Sequence, residues 1–210
     1  MEVLVASSAN DISAGAPAGS RRRMPRADNR LPQILDAAAK LIRQHGFQAT
    51  TMRDIAASTG MLAGSLYYHF ASKDELLVAV YAEGVRRISV PVSSALELDL
   101  PPWERLEATC TAHLVALLGD SDYAKVVIRV HPADAPDAAS RLIALRDDYE
   151  QLFARALVGL PLRSRTDRRA VKLMLLGSLN WAQTWWRPGG DTPQTVARQF
   201  VRLLRHQLEP

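Results

Sequence analysis

Apolar residues recur along this chain with a period near 3.6, in blocks separated by Gly, Pro and Ser/Thr, a pattern that predicts helices throughout. Ile34, Leu35, Ala38, Leu41 and Ile42 share one face of a helix predicted over about 29–45, with Pro32 tolerated in its first turn and Gly46 ending it. Thr51 is a good N-cap for a short second helix over 52–58, with Met52, Ile55 and Ala56 inward. Gly60 supplies a turn, and a third helix is predicted over about 63–70. Ser72, with Glu75 three residues later, reads as a capping box for a fourth helix that Pro91 should stop near residue 89.

A second block begins at Pro101-Pro102. Helices are predicted over about 103–118, 122–131 and 137–158, the last two parted by Pro132 and Pro136. The helix over about 167–187 is apolar on more than one side, with Val171, Met174, Leu175, Leu176, Leu179, Trp181, Trp185 and Trp186. A helix of that kind must be covered all round, which in a chain of 210 residues predicts a second subunit, with Leu176, Leu179, Phe200 and Leu204 as dimerisation residues. RPGGDTP turns into a ninth helix capped by Thr192, with Pro193 at its first position. The one β-like run, VVIRV at 126–130, is short and lies between helical patterns. The expected fold class is all-α: an N-terminal three-helix helix-turn-helix domain plus a C-terminal helical ligand-binding and dimerisation domain, about nine helices in all. The expected boundaries are 1–27 for a disordered basic arm, 28–75 for the first domain and 76–210 for the second.

Composition narrows the class. Hydrophobic residues make up 48% and charged residues 23%, which suits a soluble globule. No apolar run is long enough to span a bilayer, so no membrane partner is expected. The first twenty residues lack a basic stretch before a long apolar core, so a secretory signal is not expected. Met24 could be the natural start. Cys110 is the only cysteine, which excludes an intrachain disulfide and suits a cytoplasmic protein. The five histidines, at 45, 69, 113, 131 and 206, are scattered, and no metal or cofactor site is expected. The formal charge is +4, and residues 21–30 carry Arg21, Arg22, Arg23, Arg26 and Arg30 against one acid, Asp28. Such a run is either a solvated arm or one that lies along an anionic polymer.

The candidate chemistry lies in GMLAGSLYYHFASK, residues 60–73. The second helix, a glycine turn and the third helix form a helix-turn-helix. At 100° per residue, Leu62, Leu66 and Phe70 fall on the side facing the first two helices. Gly64 and Tyr68 point the opposite way, flanked by Ser65 and Tyr67. That face offers a bare backbone patch, a hydroxyl and two phenols, groups suited to phosphate oxygens and a close flat surface. Lys73 begins the fourth helix, where an anion is favoured. An aromatic-rich helix can equally be core; the two-sided projection, the caps and the preceding turn together favour double-stranded DNA.

The segment TTMRDIAASTGMLAGSLYYHFASKDELL resembles the DNA-binding part of TetR-type transcriptional regulators, closely over about residues 30–80. The resemblance implies an all-α homodimer, an operator with two half-sites and a divergent ligand domain. It implies phosphate contacts from Thr51, Tyr67, Tyr68, His69 and Lys73, and base-edge contacts around Ala63, Gly64 and Ser65. Members often carry a polar residue where this chain has Ala63, which leaves apolar contact, to a thymine methyl, as the use of that position. NWAQTWWRPGG at 180–190 is weakly similar to members that sense fatty-acyl or steroid-derived coenzyme A thioesters.

The expected effector is a small apolar or amphipathic molecule, an acyl-CoA among the options, bound by Leu106, Cys110, Leu114, Val127, Phe153 and Trp181, with His113 or Arg129 at a polar head. For Trp181 and Trp185 the plainer use is packing. Asp147, Asp148 and Glu150, beside Arg146 and Arg155, read as a solvated surface. The chain is thus expected to be a ligand-responsive regulator, a repressor released by its effector, and not an enzyme. The alternative is a helix-turn-helix protein whose C-terminal half binds a protein partner.

Overall fold

The computed structural model describes residues 30–210; Arg21, Arg22, Arg23 and Arg26, and the rest of the arm expected over 1–27, lie outside the described residues. Nine α-helices occur among the described residues: α1 Leu31–His45, α2 Met52–Ser58, α3 Ala63–His69, α4 Lys73–Leu96, α5 Pro102–Leu118, α6 Asp122–Arg129, α7 Ala139–Val158, α8 Arg168–Trp185 and α9 Pro193–Leu208. Two 3₁₀ turns, Pro132–Asp134 and Pro136–Ala138, join α6 to α7, each begun by one of the two prolines. The VVIRV run is helix up to Arg129, and Val130 caps it.

The caps explain where the helices start. Thr51 Oγ1 accepts from the Asp54 amide at 3.2 Å while the Asp54 carboxylate accepts from the Thr51 amide at 3.1 Å, a complete capping box. The Thr51 hydroxyl, which donates to the Asp54 carboxylate at 2.7 Å, and then the Thr51 amide hold that carboxyl below its ordinary range. Ser72 Oγ accepts from the Glu75 amide at 3.1 Å, but the Glu75 carboxylate turns away to Arg141 on α7 at 2.8 Å. The box expected there is therefore half formed, and the acid ties α4 to α7 instead. Gly60 adopts φ +64 at the turn between α2 and α3, a conformation open to glycine and strained for other residues.

Helix α4 does not stop before Pro91 as its sequence predicts; it runs through to Leu96 with the proline inside. Pro91 sits on the exposed side, where solvent can serve the carbonyl that loses its donor, while Val92 and Ala95 are buried on the other side. Packing of the last turn against α5 outweighs the local penalty.

Two hydrophobic cores result. The first joins Ile34, Ala38 and Ile42 of α1, Ile55 of α2, Leu66 of α3 and Leu76, Leu77 and Val80 of α4 to Tyr123 and Val126 of α6 and Leu142 of α7. The second joins Val92 to Leu106, Cys110 and Leu114 of α5, Leu152 and Phe153 of α7, Leu175, Leu176 and Leu179 of α8, and Val196, Val201 and Leu204 of α9. Helix α4 threads both. Against α6 it comes unusually close: a Cβ on Gly84 would lie 2.6 Å from a Val127 methyl and 3.1 Å from the Tyr123 carbonyl.

Candidate nucleic-acid interface and effector cavity

Helix α3 presents one buried and one open side. Leu66 is fully buried and Phe70 nearly so, while Gly64, Ser65, Tyr67 and Tyr68 are exposed, Tyr68 to 84%. A Cβ at Gly64 would meet nothing within 4 Å. His69 is half-buried and its ring meets that of Tyr68 edge-on at 5.9 Å. Thr51, at the start of α2, is exposed; Ala63 is half-buried.

Leu62 departs from the expected projection: it is 79% exposed. The reason is local. Leu62 is the N-cap of α3, in an extended conformation (φ −74°, ψ 144°), so the 100° step does not extend back to it. The side chain joins the open end of α3 beside Ala63. Sequence periodicity missed it because a helix projection carries no information about its cap.

Lys73 is anchored inside the protein. Its Nζ donates to the Phe47 carbonyl at 3.0 Å and the Gln48 carbonyl at 3.3 Å and lies 4.3 Å from the centre of the Phe47 ring. The ammonium holds the α1–α2 turn, which in turn carries Thr51, and keeps one N–H for an outside acceptor.

In the C-terminal half, a cavity of about 260 Å³ opens where the two cores meet. Tyr81, Val85 and Ile88 of α4 form one wall, His113 of α5 and Asn180 of α8 another, Val127, Ile128 and Val130 of α6 with His131 and Pro132 a third, and Leu142, Arg146 and Tyr149 of α7 close it. Of the effector contacts expected from sequence, the structure brings His113 and Val127 here. Leu106, Cys110, Leu114 and Phe153 are fully buried in the second core, where they fill space. Burial pushes the Cys110 thiol well above its ordinary range. Arg129 points to a separate groove against the α1–α2 turn, lined also by Arg43 and Lys125, and Trp181 is 67% exposed. Tyr81, Val85, Ile88, Tyr149 and Asn180 were not anticipated. They come from helices distant in sequence, and no local pattern joins them. Among the described residues no group of three or more His, Cys, Asp or Glu is placed to hold a metal, and no helix is long and apolar enough to cross a membrane.

Residues 34–80 match the family model of bacterial regulatory proteins of the tetR family, and residues 99–208 match that of the tetracyclin repressor-like C-terminal domain. The chain belongs to the TetR family. It is a transcriptional regulator of that family, whose members are DNA-binding proteins rather than enzymes. Among its relatives, the HTH-type transcriptional repressor KstR2 of Rhodococcus jostii (strain RHA1) is 30% identical over 183 residues, 83% of this chain and 89% of the relative. The crystal structure of AibR in complex with isovaleryl coenzyme A and operator DNA is similar at 26% identity and a TM-score of 0.67, covering 82% of this chain and 96% of that one. The superantigen PfiT is similar at 31% identity and a TM-score of 0.70, covering 81% of this chain and 93% of that one.

This TetR-family chain also leaves an apolar face open on α8 and α9. Met174, Leu175, Ser178, Phe200, Leu203, Leu204, Gln207 and Leu208 line a groove there. Trp185, 6.4 Å from Phe200 between ring centres, and Trp181 continue the face. Leu176 and Leu179, expected at a dimer contact, are instead buried within the subunit; Phe200 and Leu204 line the groove. Helix α8 is covered on one side by its own chain and open on the other.

Proposed function

We propose that this chain is a repressor that holds a two-half-site operator as a homodimer and leaves it when an acyl-CoA thioester binds between α4 and α8. The cavity carries this reading, because α4 lines it and also packs against α1 and α6 in the first core, the same core that buries Leu66 of α3. A ligand that pushes α4 or α6 tilts the reading head, and half-sites about 34–36 Å apart tolerate little change in spacing.

On DNA, Thr51, Tyr67, Tyr68, His69 and Lys73 donate to phosphates, and Ala63, Gly64 and Ser65 lie at base edges with Leu62 beside them. Two copies pair through the open face of α8 and α9. KstR2 being a repressor and AibR having been captured with an acyl-CoA and operator DNA both support this reading. The cavity, about 260 Å³, suits the acyl part and leaves the coenzyme outside. Each buried methylene contributes about 0.8 kcal/mol, and allosteric coupling needs about 1–3 kcal/mol, so a few methylenes suffice if they favour the released state.

The test is release of labelled operator by coenzyme A thioesters from acetyl to dodecanoyl. Release should strengthen with chain length until the cavity is full, and coenzyme A alone should do nothing. No release by any thioester overturns the reading.

A further inference from the structure

Helix α3 begins without a cap. Thr51, Ser72, Ser121, Asp167 and Thr192 each cap a helix by accepting from a first-turn amide. Helices α1 and α5 carry a proline in their first two positions, and α7 continues from a 3₁₀ turn. At α3 the N-cap position is Leu62, which makes no side-chain cap bond. Serine, threonine or aspartate there would stabilise the helix, so leucine gives up a local advantage. Its side chain gains no burial in exchange: Leu62 is the most exposed of the large aliphatic residues among those described. A single exposed leucine is ordinary on a protein surface; one that also displaces a cap at the reading end of a helix-turn-helix asks for a use.

Its place decides what it can do. In a helix-turn-helix the first residues of the second helix lie against base edges in the major groove. Leu62, Gly64 and Ser65 are exposed at that end of α3, whereas Ala63 is half-buried and packs against the first core. The methyl contact expected of Ala63 therefore passes to Leu62, the longer and freer side chain. Along the major groove adenine, guanine and cytosine are marked by hydrogen-bond donors and acceptors, and thymine alone adds an apolar group, its C5 methyl. Against any other base the leucine would cover a donor or acceptor without satisfying it. Against thymine it buries a methyl group together with its own surface.

We infer that Leu62 is a specificity-determining residue whose side chain reads the C5 methyl of a thymine in each half-site. The inference rests on α3 being the reading helix and adds which base meets its first residues.

The probe is a duplex selected by the wild type from a random library, with its thymines replaced one at a time by deoxyuridine. That change removes the methyl and keeps every hydrogen-bonding group. Wild-type binding, followed by fluorescence anisotropy, should weaken about fourfold at one thymine position of each half-site, the change that burial of one methyl group corresponds to. In Leu62→Ser that ratio should fall to about one, while the melting temperature holds or rises because serine supplies the missing cap. Leu62→Asn also caps and carries the same test if the serine variant does not fold. Absence of any sensitive thymine in the wild type, or a sensitivity that survives both substitutions, overturns the inference. If Gly64→Leu abolishes specific binding and the thymine sensitivity does not depend on Leu62, the inference falls while α3 remains the reading helix. If neither Gly64→Leu nor the changes at Leu62 alter binding to the duplex, both fall.

Discussion

At the scale of single residues, the open side of α3 separates DNA effects from folding effects. Gly64 has room for a side chain and lies in a helix, so Gly64→Leu should leave thermal stability equal or higher, since glycine costs about 1 kcal/mol there. It should nevertheless abolish specific operator binding by holding the backbone away from the bases; loss of specificity with an unchanged melting curve is the expected pair of readings. Lys73→Ala should lower both stability and affinity, because its ammonium serves two carbonyls of the α1–α2 turn. Tyr68→Phe should lower affinity on every sequence and leave stability alone, as its ring is almost wholly exposed.

His113 gives a pH signature at the same scale. Its folded pKa is depressed below the ordinary 6.5 to about 4, so the unfolded chain binds more protons between those values. This group therefore contributes stability above about pH 6.5, and that contribution is lost as pH falls toward 4. Melting temperatures of wild type and His113→Phe should diverge in slope across that window and run parallel above it.

At the scale of elements, α4 is where local rules and packing disagree. Pro91 is a sound reason to end a helix, and the helix continues because Val92 and Ala95 have a core to enter. The same helix meets α6 at Gly84, where even a methyl group would press on Val127 and the Tyr123 carbonyl. Gly84→Ala should destabilise the fold by about 1–3 kcal/mol in urea denaturation. Because Val127 lines the cavity, it should also shift the effector concentration needed for operator release. An unchanged denaturation midpoint would show that α4 and α6 separate freely. Around this contact, Tyr123 donates to Asp36 at 2.8 Å and Arg87 lies 3.9 Å over the Tyr123 ring, so α1, α4 and α6 are tied at one place.

At the scale of the whole molecule, two cores share α4, and the open α8–α9 face sits on the second. Leu203 is exposed and lines the groove, whereas Leu179 is wholly buried. Leu203→Glu should keep a folded chain, shift sedimentation from dimer to monomer at micromolar concentration and weaken operator binding with it. Leu179→Glu should unfold the chain. A wild type that sediments as a monomer would assign the face to a different protein and favour a C-terminal half that docks a partner.

The sequence by itself determined that the chain is helical, where most of the helices begin and the two-sided third helix, because periodicity, N-cap chemistry and glycine turns act within a few residues. It carried the family resemblance for the same reason: the exposed groups of α3, Gly64, Ser65, Tyr67 and Tyr68, lie within five consecutive positions. Tertiary structure alone decided the rest. It set which apolar residues fill a core and which wall a cavity, since Leu106 and Val127 look alike on a helix and differ only in what packs across from them. It drew Lys73 inward to carbonyls twenty-five and twenty-six residues away, carried α4 past Pro91, and set His113 of α5 against the Tyr149 hydroxyl of α7. Each of those outcomes depends on groups far apart in the chain, where side-chain volume and unpaired hydrogen bonds outweigh local preference.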